Sequence, residues 1–240
     1  MPAKIITVMS PKGGVGKTTV SVNIAAALSV LGNRVLIVDA NLETPHVAVY
    51  YGLVGYKYSL EDVLNGKIGI VNAIYKTDFP GLSILPSRVF KDKGDGNAKY
   101  KLINLFYHLN RISEDFDFII LDSKPSSSVD FLRFVKNVNT LLVSMPEIAS
   151  IIEAKKLDYE SRASGVNVLG LVLNRVNKKV KGAMSEDEIK KVLEIEKIWE
   201  VPDDLNVFEA LKAGTPIVFQ NKRSPASKGF NEIAKDLLSI

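Results

Sequence analysis

The residues Pro11-Lys12-Gly13-Gly14-Val15-Gly16-Lys17-Thr18-Thr19 carry the most specific chemistry in the chain. Closely spaced glycines let successive backbone N–H groups curl around an anion. A helix starting at Lys17 would add about half a positive charge at the same place. Lys17 is then placed to reach β- and γ-phosphates, and the Thr18 hydroxyl to ligate Mg²⁺. The loop therefore reads as a cradle for a nucleoside triphosphate, formed by Gly13, Gly14, Val15, Gly16, Lys17, Thr18 and Thr19. It departs from the usual G-x-x-x-x-G-K-[ST] pattern at its first position, which is Pro11. A chance Gly-Lys-Thr in a glycine-rich turn is the bland alternative, and what lies on either side decides against it. An apolar β-branched run (Ile5, Ile6, Val8) precedes the loop and a long helical pattern follows, which is the strand–loop–helix context the chemistry needs.

The remaining elements have to position that cradle. Arg34 to Asp39 and Phe116 to Asp122 are nearly continuous apolar runs, each closed by an acid. Such runs read as strands buried on both faces of a parallel sheet, whose carboxyl ends collect ligands. Further strands are expected over 4–9, 81–86, 138–143, 166–173 and 199–202. Helices are expected over 17–31, 99–112, 148–161, 185–194 and 206–213 and after Ser224-Pro225, with a short capped helix from Ser59 to Gly66. Residues 40–58 show no clean period, and 91–97 read as a polar loop. Alternating strands and helices imply an α/β fold, a doubly wound, mostly parallel sheet with helices on both faces, in one domain over 1–240. Asp39 and Asp122, one at each of two strand ends near the loop, suit Mg²⁺, which uses few carboxylates and keeps several waters. Asp122 as a structural strand-end acid remains the plain alternative.

Composition sets outer bounds. With 240 residues, 46% of them hydrophobic, the chain can bury a full core. The net charge of +4 permits an acidic partner, such as DNA or an anionic membrane, without requiring one. No cysteine is present, so thiolate-held iron–sulfur chemistry is excluded. His46 and His108 lie far apart without cysteines, a poor pattern for zinc. Lys178-Lys179-Val180-Lys181 reads as a solvated loop, with contact to DNA or lipid as the minority reading, and Ser126-Ser127-Ser128 lacks a partnered histidine. Trp199 is expected in the core. The amino terminus lacks the apolar stretch of a signal peptide, and no run approaches ~18 apolar residues, so a cytoplasmic location is expected.

Lys12, the second lysine of the loop, narrows the class. Lys12-Gly13-Gly14-Val15-Gly16-Lys17-Thr18 resembles the deviant Walker A motif of the MinD/ParA family of ATPases. The resemblance extends through Phe118 to Asp122, Leu171 to Val176, and Val201-Pro202-Asp203-Asp204 to Ser224-Pro225-Ala226. It implies ATP/ADP with Mg²⁺ as cofactors and an ATP-dependent homodimer in which Lys12 reaches the partner's phosphates. It also implies that Asp122 holds a Mg²⁺-bound water, that Asn174, followed by Arg175, meets the adenine edge, and that the turn at Pro202 and Asp203 flanks the base. Asn174 as a simple turn former is the alternative.

Two positions depart from the family. Asp39-Ala40-Asn41 has an amide where relatives carry the aspartate that positions the attacking water, and Asp122-Ser123-Lys124-Pro125-Ser126 has Lys124 in place of an apolar residue. Both bear on hydrolysis and switching rather than on binding. The catalytic candidates are thus Lys12, Lys17, Asp39 and Asn41. The implied function is a spatial-positioning or partitioning ATPase with slow hydrolysis, acting with a regulatory or cargo protein. The alternatives are an ATP-gated binding module with negligible turnover and a DNA-segregation ATPase. The last helix balances Lys228 and Lys235 against Glu232 and Asp236, so docking on the fold is expected rather than membrane anchoring.

Overall fold

A computed structural model describes residues 1–88, 98–124, 138–177, 179, 180, 182 and 184–240. The expected loop at 91–97, together with Pro125, Ser126 to Ser128, Lys178 and Lys181, lies outside the described residues. The apolar runs form the sheet. Strands β1 (Lys4–Met9), β2 (Val35–Asp39), β3 (Tyr75–Lys76), β4 (Leu82–Leu85), β5 (Phe118–Asp122), β6 (Val138–Ser144), β7 (Asn167–Val176) and β8 (Ile198–Pro202) lie in the order β3-β4-β2-β5-β1-β6-β7-β8. All neighbours are parallel except β3, which runs against β4. This is the doubly wound, mostly parallel sheet the sequence implies.

Strand alternation sorts the core into two layers. Ile5, Leu36, Ile119, Leu121 and Leu142 face one side, Ile6, Val8, Ile37, Ile120 and Val143 the other, all buried. The first layer is covered by α3 (Leu60–Leu64), α4 (Ala98–Arg111), α5 (Ile148–Ala163) and α6 (Glu186–Val192). The second is covered by α1 (Lys17–Val30), α2 (Val47–Tyr50), α7 (Asn206–Lys212), α8 (Ile217–Gln220) and α9 (Pro225–Leu237). Helix α1 is apolar nearly all round because it is enclosed by the sheet, α8 and α9, and Ala25, Ala26 and Ala27 let the neighbours come close. Among the described residues no helix is long and apolar enough to cross a membrane.

Caps end the helices where the sequence places them. Ser59 and Ser185 each head a capping box, the Ser224 hydroxyl accepts from the Ser227 N–H at 3.2 Å, and Pro225 occupies the first turn of α9. Helix α9 is docked as expected. Phe230, Ile233, Ala234 and Leu237 are buried, and Asp236 accepts from Trp199 Nε1 at 2.9 Å and pairs with Lys197 at 2.6 Å. Trp199 lies in the core over Gly170, where a Cβ would come within 2.6 Å of the indole ring. Helix α5 departs from a simple amphipathic stripe. Ile151, Ala154 and Leu157 are buried, whereas Ile148, Ile152 and Tyr159 stay exposed.

Two boundaries differ from the sequence expectation in a way that matters for the site. The strand expected to end at Leu173 continues through Asn174 and Arg175 to Val176, with its pairing to β8 shifted between Leu173 and Val176. The aperiodic stretch 40–58 contains α2, whose start is fixed by Asp39 rather than by any local pattern.

Candidate functional site

The phosphate loop joins β1 to α1 at the carboxyl edge of the sheet. Val15 is buried and anchors it, the Ser10 hydroxyl donates to the Lys12 carbonyl at 2.9 Å, and Gly14 and Gly16 turn the chain at φ 83° and 89°. Those angles strain any residue with a Cβ, and a Cβ on Gly16 would come within 2.0 Å of the Asn174 amide. Around Gly13 and Gly14 there is open space, and the loop residues border a cavity of about 370 Å³. Lys12, Lys17, Asn41, His46, Tyr50 and Arg175 are among its walls.

Asp122, on the strand next to β1, is buried behind the Lys17 and Thr18 that line this cavity. Its carboxylate accepts from Lys17 Nζ at 2.8 Å, from the Thr18 hydroxyl at 2.7 Å and from the Ser21 hydroxyl at 3.0 Å. Lys17 and Asp122 are both buried, so each needs the other's charge. Ser21, one helical turn beyond Lys17, belongs to this cluster although the sequence reading passes over it. The donor set fits Mg²⁺ as its fold chemistry requires: one hydroxyl and one carboxylate side by side, with the rest of the shell left to water and phosphate oxygens. Among the described residues no group of three or more His, Asp or Glu could hold a metal without such help.

Asp39 stands opposite Asp122 in the pairing of β2 with β5 but is used differently. One oxygen accepts the Asn41 N–H at 3.2 Å, the other the His46 and Val47 N–H groups, each at 2.9 Å. Burial pushes its pKa well above the usual carboxylate range and the nearby Asp122 charge adds to this, while the N–H donors and Lys17 oppose. The loop it organises is closed by Asn41, whose Nδ2 donates to the Thr44 carbonyl at 2.8 Å and hydroxyl at 3.0 Å while Oδ1 accepts the Thr44 N–H at 3.3 Å. A carboxylate could not make the first of these bonds. Lys124 pairs with Glu43 of the same loop at 2.6 Å, joining it to the segment after β5.

Lys12 has a different partner. It forms an ion pair with Glu153 of α5 at 3.2 Å and stays about half exposed.

On the far side a smaller cavity of about 140 Å³ is bordered by Asn174, Arg175, Pro202, Asp203, Val207 and Phe208, among others. The Asn174 Nδ2 donates to the Val15 carbonyl at 2.8 Å. An acceptor at that position fixes which way the amide faces, and among the described residues Oδ1 has no donor, so it can take one such as an exocyclic amine. Arg175 has φ 55°, rare for a residue with a side chain, at the irregularity in β7. The turn after β8 is tied back by Asp203 N–H to the Val176 carbonyl at 3.0 Å and by Asp204, which accepts from Ser224 and Asn206. The structure thus places Lys12, Gly13, Gly14, Gly16, Lys17, Thr18 and Asn41 on one cavity and Asn174, Pro202 and Asp203 on an adjoining one, with Thr19 and Arg175 on both, whereas Val15, Asp39 and Asp122 are buried and line neither. Tyr50, which lines both cavities, and Ser21, which is buried on Asp122, join them without a signal in the sequence.

A protein-family model described as an AAA domain matches residues 3–185. An uncharacterized ATP-binding protein of Methanocaldococcus jannaschii is 32% identical over 237 residues, covering 98% of this chain and 88% of that protein. The fold is similar to the cell division ATPase MinD of Pyrococcus furiosus, with TM-score 0.87 and 29% identity over 100% of this chain and 99% of the other. It is similar also to the septum site-determining protein MinD of Pyrococcus horikoshii complexed with Mg-ADP, with TM-score 0.86 and 27% identity over 98% and 96% of the two chains.

Proposed function

Since the chain belongs to the MinD/ParA family of P-loop ATPases, we propose that it is a switch that dimerises on Mg²⁺–ATP, hydrolyses it slowly and positions or partitions a cellular cargo through a partner protein. The observation that carries this reading is the division of labour between two lysines at one cavity. Lys17 is buried on Asp122 and serves its own chain's phosphates, whereas Lys12 is held outward at the rim by an exposed acid. A lysine so placed can reach a nucleotide in a facing copy. There it would stabilise charge on the transferring phosphoryl group much as an arginine finger does.

Within one chain, the loop N–H groups and Lys17 bind the phosphate chain, Thr18 and Asp122 hold the magnesium and its water, and Asn174 and the turn at Pro202 and Asp203 hold the base. Bound Mg²⁺ supplies neutralisation of charge on the β- and γ-phosphate oxygens. Asn174 Oδ1 favours a 6-amino purine because a 6-oxo group there would place two acceptors face to face. Slow hydrolysis is supported by Asn41, whose amide is committed to Thr44 and has no negative charge with which to take a proton from water. The same observation favours a second reading, an ATP-gated binding module with negligible turnover.

Light scattering in Mg²⁺–ADP and Mg²⁺–ATP, with phosphate release followed in parallel, separates these readings. We expect an ATP-only dimer that decays slowly as phosphate appears. A persistent dimer releasing no phosphate supports the gated module. Lys12→Ala should bind ATP by calorimetry and stay monomeric, and if it dimerises as the unaltered chain does, the in-trans role of Lys12 is wrong.

A further inference from the structure

The phosphate cavity and the base cavity share Thr19, Tyr50, Arg175 and Leu211. In a nucleoside triphosphate, what lies between the base and the β-phosphate is the ribose and the α-phosphate. Thr19 follows the two residues bound to Asp122. Rotation of about 100° per residue along a helix turns its side chain away from them. Its hydroxyl lies 2.6 Å from that of Tyr50, from which it is separated by 31 positions in the chain.

We propose that the Tyr50 hydroxyl, paired with that of Thr19, donates directly to a non-bridging oxygen of the α-phosphate, with the Arg175 guanidinium beside it. The inference rests on the ATP-binding reading above and adds to it a residue that the loop motif does not contain.

Three features carry it. Two hydroxyls in mutual contact hold two protons and use one between themselves, so with Thr19 donating to Tyr50 the phenol proton is left for an arriving anion. Burial raises the Tyr50 phenol above its ordinary pKa, so it remains a donor at neutral pH. Arg175 is held in a left-handed backbone conformation at the irregularity of β7, and its charge is felt at Tyr50. Strain of that kind persists where surrounding structure enforces it, and it gathers at ligand clamps. Tyr50 also ends α2, whose first N–H groups are bound to Asp39. A contact made at the α-phosphate therefore bears on the helix that borders the Asn41 loop.

The test uses calorimetry with Mg²⁺–ATP and with the two diastereomers of ATP carrying sulfur at the α-phosphorus, on the full chain and on Tyr50→Phe. The ring is kept in that variant, and the thermal midpoint should stay within the scatter of the unaltered protein. We expect Tyr50→Phe to weaken ATP by about 10–100-fold, the worth of a hydrogen bond to a charged acceptor. The unaltered chain should also distinguish the diastereomers, and Tyr50→Phe should lose that distinction. ATP affinity unchanged in Tyr50→Phe overturns the inference, as does weaker binding with the distinction intact, which moves the hydroxyl to the ribose. If the unaltered chain binds no ATP, the underlying functional reading fails, and the two failures are told apart.

Discussion

Asp39 and Asp122 are the same residue at matching positions on neighbouring strands, both buried, yet their partners differ in kind. Asp122 is bound by side chains, Lys17, Thr18 and Ser21, which can turn to other acceptors when phosphate and magnesium arrive. Asp39 is bound by backbone N–H groups of Asn41 in the following loop and of His46 and Val47 at the start of α2, which have nowhere else to go. A carboxylate held by side chains is poised to exchange ligands. One held by the main chain sets the shape of a loop. Sequence position alone gives the two acids equal standing, and only the donors separate them.

The comparison breaks first at Asp39. Asp39→Ala orphans three N–H groups at roughly 1–3 kcal/mol each, partly offset by relief of repulsion with Asp122, so urea denaturation should show a loss of about 3 kcal/mol. A loss below about 1 kcal/mol would mean that the loop holds its shape unaided. Asp122→Asn keeps the size of the side chain and removes its charge. We expect Mg²⁺-dependent nucleotide affinity to fall about 10–100-fold by calorimetry, as for groups that orient metal-bound water. Affinity unchanged by magnesium removal in both proteins would assign Asp122 to the fold as well.

A third carboxylate, Asp236, sharpens the contrast by being only partly buried. The hydrogen bond from Lys197, with that from Trp199, holds Asp236 below its ordinary pKa. Because its folded pKa is the lower one, its contribution to stability is present above the unfolded value, about 3.9, and is lost as pH falls through the folded value. Asp236→Asn should therefore cost under about 1 kcal/mol at neutral pH, since both partners are partly solvated, and the difference should begin to shrink below about pH 4 and vanish once pH has fallen past the folded value. A difference that persists in strong acid would point to packing instead.

Much of this was legible in the residues. Long apolar runs, capping serines and the glycines after helices set the strand order's raw material and most boundaries within a residue or two. The phosphate loop was legible because its chemistry is local. What stayed hidden depends on contacts distant in sequence. Helices α2 and α8 and strand β3 span too few residues to show a period. Their supports are tertiary, such as Phe79 stacked on Phe219 at 4.0 Å and Tyr51 donating to the Val22 carbonyl at 2.9 Å. Tyr50 could not be found for the same reason. For Asn41 the residue type was informative about proton transfer, but not about the turn toward Thr44, which explains what an amide does there.

The bond from Asn174 to the Val15 carbonyl ties the base cavity to the phosphate loop through a single amide. An amine that donates to Oδ1 polarises that amide and strengthens the donation from Nδ2, by ~10–30% where such chains have been evaluated. Occupancy at the purine end would then stiffen the loop at the other, and the loop would stiffen the purine end in return. Base and phosphates would be felt as one ligand with positive cooperativity between its halves, and inorganic tripolyphosphate would meet a slacker loop than ATP does.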